Sequence, residues 1–291
     1  MSEGDQQKNP PPHPTSRRFD SEKLRMGYRR VQHRLHLLKH WWLRTHVPYQ
    51  PFFTIATARS GSNLLIDFIN NLPGVQTLWE VLCNSVPEGP HRARIRPAKA
   101  IKHIRYSLQT LSAPRRGCKL MLHQLARCAL TIDDLENVFP GAKYIVLYRQ
   151  SLAEQYVSLQ AAMTTNQWAV FDGRTGQSTL VRIDPAELRS YCDRIRQGYR
   201  ELLTHPAIAE RAVLLSYEEL TKDPATCLRD CICPHLEVPS SAPTSTLRKQ
   251  HPQPLAERVA NYKAVAELVN STLCQQSYTL QNHQLSSRRA A

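Results

Sequence analysis

Phe52-Phe53-Thr54-Ile55-Ala56-Thr57-Ala58-Arg59-Ser60-Gly61-Ser62-Asn63-Leu64-Leu65 is the stretch on which the reading of this chain turns. Phe52 to Ala56 is a short apolar run, as expected of a strand buried on both faces of a sheet. Leu64 to Leu72 then sets Leu64, Leu65, Phe68, Ile69 and Leu72 on one face of a helix. Between them, Thr57 to Asn63 must turn the chain tightly at the helix N-terminus. Such a terminus presents unpaired N–H groups and a partial positive charge, so it stabilises an anion. Gly61 lets the backbone wrap closely, Ser60, Ser62 and Asn63 add donors, and Arg59 adds a planar cationic fork suited to oxyanions.

What this loop lacks is equally informative. A loop that hydrolyses ATP or GTP carries a Lys followed by Ser or Thr directly after its second glycine, for the terminal phosphates and Mg²⁺. No Lys follows Gly61. That turns the reading away from metal-dependent phosphoryl transfer and toward transfer of a less charged group, with no metal required.

Outward from the loop, short apolar runs alternate with helical ones, which predicts an α/β fold with three α/β/α layers around a central parallel sheet. A second strand is expected over Cys118 to Leu122 and a helix over Thr131 to Val138, capped by Thr131 with Asp134 three residues on. Pro140-Gly141 turns into a strand over Lys143 to Tyr148. A helix over Ser151 to Ala162 follows, opened by a capping box of Ser151 and Glu154. Ala212 to Ser216 reads as a further strand and Pro254 to Leu273 as one final helix. Asn84 to Thr110 and Asn166 to Asp184 are left as loops that set specificity.

The 291 residues suffice for one large domain with an extension, and 41% apolar content supports a real core. A net charge of +14 predicts attraction to anions without naming one. Residues 1–45 read as a basic extension, disordered to Arg18 among Pro10, Pro11, Pro12 and Pro14, then helical over 21–43 with Leu24, Tyr28, Val31, Leu35 and Leu38 on one side. That helix is expected to dock by its apolar stripe, with a membrane-surface or polyanion contact as the sharper alternative. Residues 46–282 are expected to form the main domain and 283–291 a disordered tail. With no apolar run near the roughly 20 residues of a membrane span, and no signal peptide in the polar N-terminus, a cytoplasmic protein is expected. Its eight cysteines are then mostly thiols, and Cys227, Cys231, Cys233 and His235 lack the paired spacing of a metal site.

Four motifs in order give the chain a family resemblance. TARSGSNLL (57–65) resembles the 5′-phosphosulfate loop of the sulfotransferases, which use 3′-phosphoadenosine 5′-phosphosulfate (PAPS) on a P-loop-like fold. Asn63 stands where Thr or Ser is usual. KYIVLYRQSLAEQYVSLQ (143–160) resembles the strand and helix that grip the 3′-phosphate of PAPS, with Arg149 and Ser158 in the gripping places. Arg149 also falls at the C-terminal end of a parallel strand, where such sheets bind ligands. The Arg149–Ser158 interval is one residue longer than in the cytosolic animal enzymes. It looks more like bacterial carbohydrate sulfotransferases acting on trehalose glycolipids and nodulation factors. LLSYEELTKDP (214–224) would bring Tyr217 near the adenine. TLRKQHPQPLAERVANY (246–262) resembles the C-terminal loop whose basic residues, here Arg248 and Lys249, close on the 3′-phosphate.

The resemblance implies PAPS as donor, a carbohydrate or glycolipid hydroxyl as acceptor, and a general base to take its proton. Two candidates stand in the right places: Glu80 in QTLWEVL and His123 in GCKLMLHQL. Glu80 is preferred, with His123 orienting the acceptor or sharing the role. Lys119 precedes His123 by four residues in the expected strand, so the two would share a face. The competing readings are a P-loop-type kinase and a non-catalytic nucleotide or polyanion binder. No zinc finger, RNA-recognition sequence or aromatic-studded basic strand supports nucleic acid as a partner.

Overall fold

The computed structural model describes residues 48–82, 96–171, 179–248 and 253–274. The basic helix expected over 21–43, the segments flanking it, the 283–291 tail and Lys249 lie outside the described residues. In chain order the elements begin β1 (Gln50–Ala56), α1 (Ser62–Asn70), β2 (Val75–Glu80), α2 (Pro97–Gln109), β3 (Arg115–Met121) and α3 (Leu122–Arg127). They continue with α4 (Ile132–Val138), β4 (Lys143–Tyr148), α5 (Leu152–Thr165), the short β5 (Val170–Phe171), α6 (Pro185–Leu203), α7 (Pro206–Arg211) and β6 (Ala212–Ser216). Then come α8 (Tyr217–Lys222), α9 (Pro224–Cys227), a π-helical turn over Leu228–Ile232, α10 (Cys233–Leu236), the short β7 (Leu247–Arg248), α11 (Leu255–Arg258) and α12 (Tyr262–Cys274).

Five strands form one sheet in the order β2-β3-β1-β4-β6, every ladder parallel. Phe52 to Ala56 are wholly buried, as a central parallel strand demands. Alternating residues of β1 feed two cores. Phe53 and Ile55 pack with Ile104, Leu108, Tyr144, Val146 and Tyr199 on one face. Phe52 and Ala56 pack with Leu65, Ile69, Ile145, Leu147 and Leu228 on the other. Helices on both faces make three layers. Gly117 is needed on the second face, because a β-carbon there would lie 2.4 Å from the Phe52 ring. A third cluster joins α5, α6 and α12 through Tyr156, Val157, Leu188, Tyr191 and Val269.

The register aligns the strand ends. Ala56 pairs with Met121 and Leu147, and Tyr148 with Ser216. Thr57, Arg149 and Tyr217 therefore leave the sheet along one edge, at the carboxyl ends where α/β sheets take their ligands.

Several expectations are corrected. Val75–Glu80 is a strand, so the strand at Arg115–Met121 is the third and not the second, and it ends before Leu122. His123 consequently sits in the first turn of α3, and the shared strand face with Lys119 does not exist. Residues 97–109 are a helix, not part of a loop, with Ala100, Ile101, Ile104 and Leu108 buried. The final helix is broken: Val259 leaves helical geometry to bridge to Val181, which separates α11 from α12. Ser62, not Leu64, starts α1.

Among the described residues no disulfide forms. Among those same described residues no cluster of three or more His, Cys, Asp or Glu gathers, and no helix is long and apolar enough to cross a membrane. Cys227 and Cys233 are buried in the second core.

Candidate active site

The loop after β1 holds its shape with its own backbone and with buried side chains. Arg59 and Gly61 both adopt left-handed geometry, at φ 62° and 87°. At Gly61 only glycine fits, since a β-carbon would lie 2.2 Å from Cδ2 of Tyr217. Gln155 Nε2 donates to Thr57 Oγ1 at 2.7 Å and to the Ala58 carbonyl at 2.6 Å, pinning the loop to α5. Ser60 is fully buried and its hydroxyl donates to the Thr57 carbonyl at 2.8 Å. That bond closes the turn. Gly61 is the N-cap of α1 and offers no side-chain cap. The N–H groups of the first turn thus have no side-chain acceptor, and the dipole adds to their appetite for an anion.

Arg59 reaches across to α5. Its Nε donates to Ser158 Oγ at 2.9 Å and its Nη1 to the Trp168 carbonyl at 2.6 Å. Burial, and secondarily the charge of Arg149, lowers its pKa to about 10, so it remains a cation at neutral pH. The loop and the helix carrying Ser158 are thereby one unit.

Arg149 follows β4 and is nearly buried. Its Nη2 donates to Glu154 Oε2 at 3.2 Å, its Nη1 to the Arg59 carbonyl at 3.3 Å, and its guanidinium lies 4.7 Å from the Tyr217 ring centroid. The same Glu154 Oε2 accepts from Arg258 Nη2 at 2.5 Å. Two buried guanidinium groups thus share one carboxylate oxygen. Among the described residues, neither Arg149 Nε nor Arg258 Nε has a hydrogen-bond partner. Glu218 Oε1 stands 3.9 Å from Arg149 Nε, beyond hydrogen-bond reach, so buried donors stay unused beside two carboxylates, which suits a further anionic group.

This network explains a further correction. Ser151 caps α5 and accepts from the Glu154 amide, but the Glu154 carboxylate does not return the bond. The Ser151 amide donates to Glu218 Oε1 at 3.3 Å instead, and the Gln150 amide to Glu218 Oε2 at 2.9 Å. Glu218 takes over the capping, and the two arginines take Glu154.

On the other side of the loop lie the residues expected to handle the proton. Lys119 is almost wholly buried. Its Nζ stands 2.9 Å from Glu80 Oε1 and donates to Asn63 Oδ1 at 2.5 Å. Gln124 Nε2 holds the other Glu80 oxygen at 2.9 Å. Glu80 keeps about a third of its side chain open, at 32%. His123 is solvent-facing on α3; neighbouring chain strips water from its ring and lowers its pKa, with Glu80 pulling the other way. The structure brings Glu80, Lys119, Asn63 and the α1 terminus together directly. His123 stands near enough to Glu80 to feel its charge. Arg248 lies in β7, paired with Val170.

Three participants went unnoticed in the sequence: Gln124, Glu154 in its role toward the arginines, and Arg258. Gln124 carries a usable signal, a buried amide one residue past a candidate His. Arg258 offers none, because its partner stands 104 residues away.

A parallel α/β sheet whose carboxyl edge carries an anion-ready helix terminus, clustered arginines and a lysine-held carboxylate has the parts that a transferase of anionic groups needs. The comparisons narrow the class. The model of the sulfotransferase family matches residues 51–242, more than half of the chain, and the chain belongs to that family. Nodulation protein H of Rhizobium meliloti (strain 1021) is 25% identical over 226 residues, covering 74% of this chain and 90% of that protein. Nodulation protein H of Rhizobium tropici is 23% identical over 219 residues, 73% of this chain and 86% of that one. Among solved structures, a sulfotransferase from Alicyclobacillus acidocaldarius overlaps with a TM-score of 0.42 at 19% identity, covering 78% of this chain and 95% of that one. Mouse sulfotransferase SULT7A1 complexed with PAP overlaps with a TM-score of 0.40 at 14% identity, covering 81% and 68%.

Proposed function

We propose that this sulfotransferase moves the sulfuryl group of PAPS to a hydroxyl of a carbohydrate or glycolipid in the cytoplasm. The observation that carries the reading is the meeting of Glu80, Lys119 and Asn63 beside the uncapped terminus of α1. The terminus, Ser62, Asn63 and Arg59 take the 5′-phosphosulfate. Arg149, Ser158 and the Arg248–Lys249 pair take the 3′-phosphate, and Tyr217, stacked on Arg149, lies toward the adenine.

Chemistry follows from what these groups can do. The acceptor oxygen attacks sulfur as the bond from sulfur to the phosphate oxygen breaks, and the acceptor proton passes to Glu80. Lys119 and Arg59 hold the negative charge that grows on the transferring group and on the departing phosphate. Gln124 fixes the carboxylate so that one oxygen faces the acceptor. His123 orients the acceptor or shares the proton. The glycan preference is supported by the Arg149–Ser158 spacing, which resembles that of bacterial carbohydrate sulfotransferases.

The test uses purified protein, radiolabelled PAPS and a panel of glycan and glycolipid acceptors. Glu80→Gln is expected to lower turnover by about 10²–10⁴-fold while 3′-phosphoadenosine 5′-phosphate (PAP) binds as before. Unchanged turnover would remove Glu80 from the role of base. A nucleotide site indifferent to the 3′-phosphate would remove PAPS.

A further inference from the structure

The ladder between β2 and β3 is irregular at one place. Leu78 pairs with Cys118 and Glu80 with Lys119, so Trp79 and Glu80 together oppose a single residue. This is a β-bulge, and its effect is geometric. In a regular strand, successive side chains point to opposite faces, and Trp79 would turn away from Glu80. The bulge cancels that alternation and re-aims a side chain, a device common beside active sites. Here one ammonium records the outcome: Lys119 Nζ is 2.9 Å from Glu80 Oε1 and 5.5 Å from the Trp79 ring centroid. The indole is nevertheless 37% exposed. A large aromatic surface thus stands open beside the candidate base, held by the same cation.

We infer that Trp79 is the platform on which a pyranose ring of the acceptor stacks. A sugar ring has an apolar face of C–H groups and a rim of hydroxyls. An indole offers a broad, rigid apolar surface for that face, and the Glu80 carboxylate beside it, about a third of its side chain open, offers a partner for the rim. Stacking against Trp79 fixes the plane of the ring and so selects which hydroxyl Glu80 meets. Trp79 is in this sense a specificity residue and not part of the proton transfer. The inference rests on the glycan-acceptor reading given above and deepens it.

The experiment titrates the full chain, saturated with PAP, with trehalose, cellobiose and chitobiose, following tryptophan fluorescence and, in parallel, calorimetry. Wild type, Trp79→Phe, Trp79→Leu and Trp79→Ala are compared, and PAP binding is measured separately for each. Saturable binding of at least one sugar is expected, weakened about tenfold or more in Trp79→Ala and Trp79→Leu, equivalent to about 1.4 kcal/mol. Trp79→Phe should retain most of the affinity, and PAP binding should not change. Trp79→Leu keeps apolar bulk at the bulge, so the comparison survives if the alanine variant fails to fold. Equal sugar affinity in wild type and Trp79→Leu would overturn the platform, and so would a phenylalanine variant no better than leucine. If no sugar binds the wild type, the platform falls as well. The PAP titration then reports independently on the nucleotide site.

Discussion

Replacing Glu154 by Gln should make the empty protein less stable and the nucleotide tighter, two effects of opposite direction from one charge. Glu154 Oε2 accepts from Arg149 and Arg258, whose side chains are only 9% and 8% exposed. A unit charge pair about 4 Å apart at an effective dielectric near 20 attracts by about 4 kcal/mol. The variant loses two such attractions but keeps an amide oxygen that can accept both bonds, and it no longer holds a partly buried carboxylate. The net loss is therefore about 2–3 kcal/mol. At about 2–4 °C per kcal/mol for a domain of this size, the melting temperature falls by roughly 5–10 °C. A phosphate entering between the two arginines meets the Glu154 carboxylate in the wild type and a neutral amide in the variant. Relief of about 1–2 kcal/mol of repulsion raises PAP affinity by about five- to thirtyfold. Thermal unfolding with and without PAP, together with calorimetric titration, measures both. A variant as stable as the wild type would show that the carboxylate does not hold the arginines. An equal PAP-induced rise in melting temperature for the two proteins would show that the arginines are not in the nucleotide site.

Gly61→Ala sets a β-carbon against Tyr217 at a φ of 87° and is expected to cost about 2–4 kcal/mol. PAP binding should be lost with it, because the Tyr217 ring must leave Arg149; chemical denaturation and a binding isotherm check both. His123 has its pKa lowered in the folded protein, first by loss of water around the ring. The unfolded chain therefore takes up the proton first as pH falls. The contribution of neutral His123 is complete above about pH 6.5 and is lost as pH falls through the lowered folded value. His123→Gln should flatten this part of a urea-unfolding stability profile, and a steeper acid loss in the variant would contradict the sign.

The strands and loops that the sequence made legible are those governed by local pattern. Phe52 to Ala56 and Lys143 to Tyr148 are continuous apolar runs because both faces of a central strand are covered. β2 escaped because it is an edge strand, with Gln76 and Glu80 on partly open positions and a bulge at Trp79 that interrupts the alternation. α2 escaped because Lys99, Lys102, His103 and Arg105 obscure the stripe of Ala100, Ile104 and Leu108. The break at Val259 was hidden for a different reason. The bridging Val259 is itself buried in the core shared with α12, so the apolar spacing runs on through the break. The Ser151–Glu154 capping box is a sound local motif, overridden by arginines and a second glutamate from elsewhere in the chain. The same division applies to the site: Arg59, Gly61, Arg149 and Ser158 announce themselves in short motifs, whereas the Glu154–Arg258 contact exists only in three dimensions.

The strand order also bears on how the protein comes into being. Every ladder of the sheet joins strands separated by at least one helix, and β3 inserts between β2 and β1. Loop closures of this kind precede any return in contacts, which makes assembly slow. The segment bearing Arg258 is attached through Val181 and Asn261, whose side chain holds both the amide and the carbonyl of Ile183. A chain with its sheet formed but this segment undocked would look largely native in secondary structure and yet leave Glu154 without its second guanidinium. Refolding in which this segment docks after the sheet would show full nucleotide affinity lagging behind the recovery of secondary structure, with the ligand as the reporter of that step.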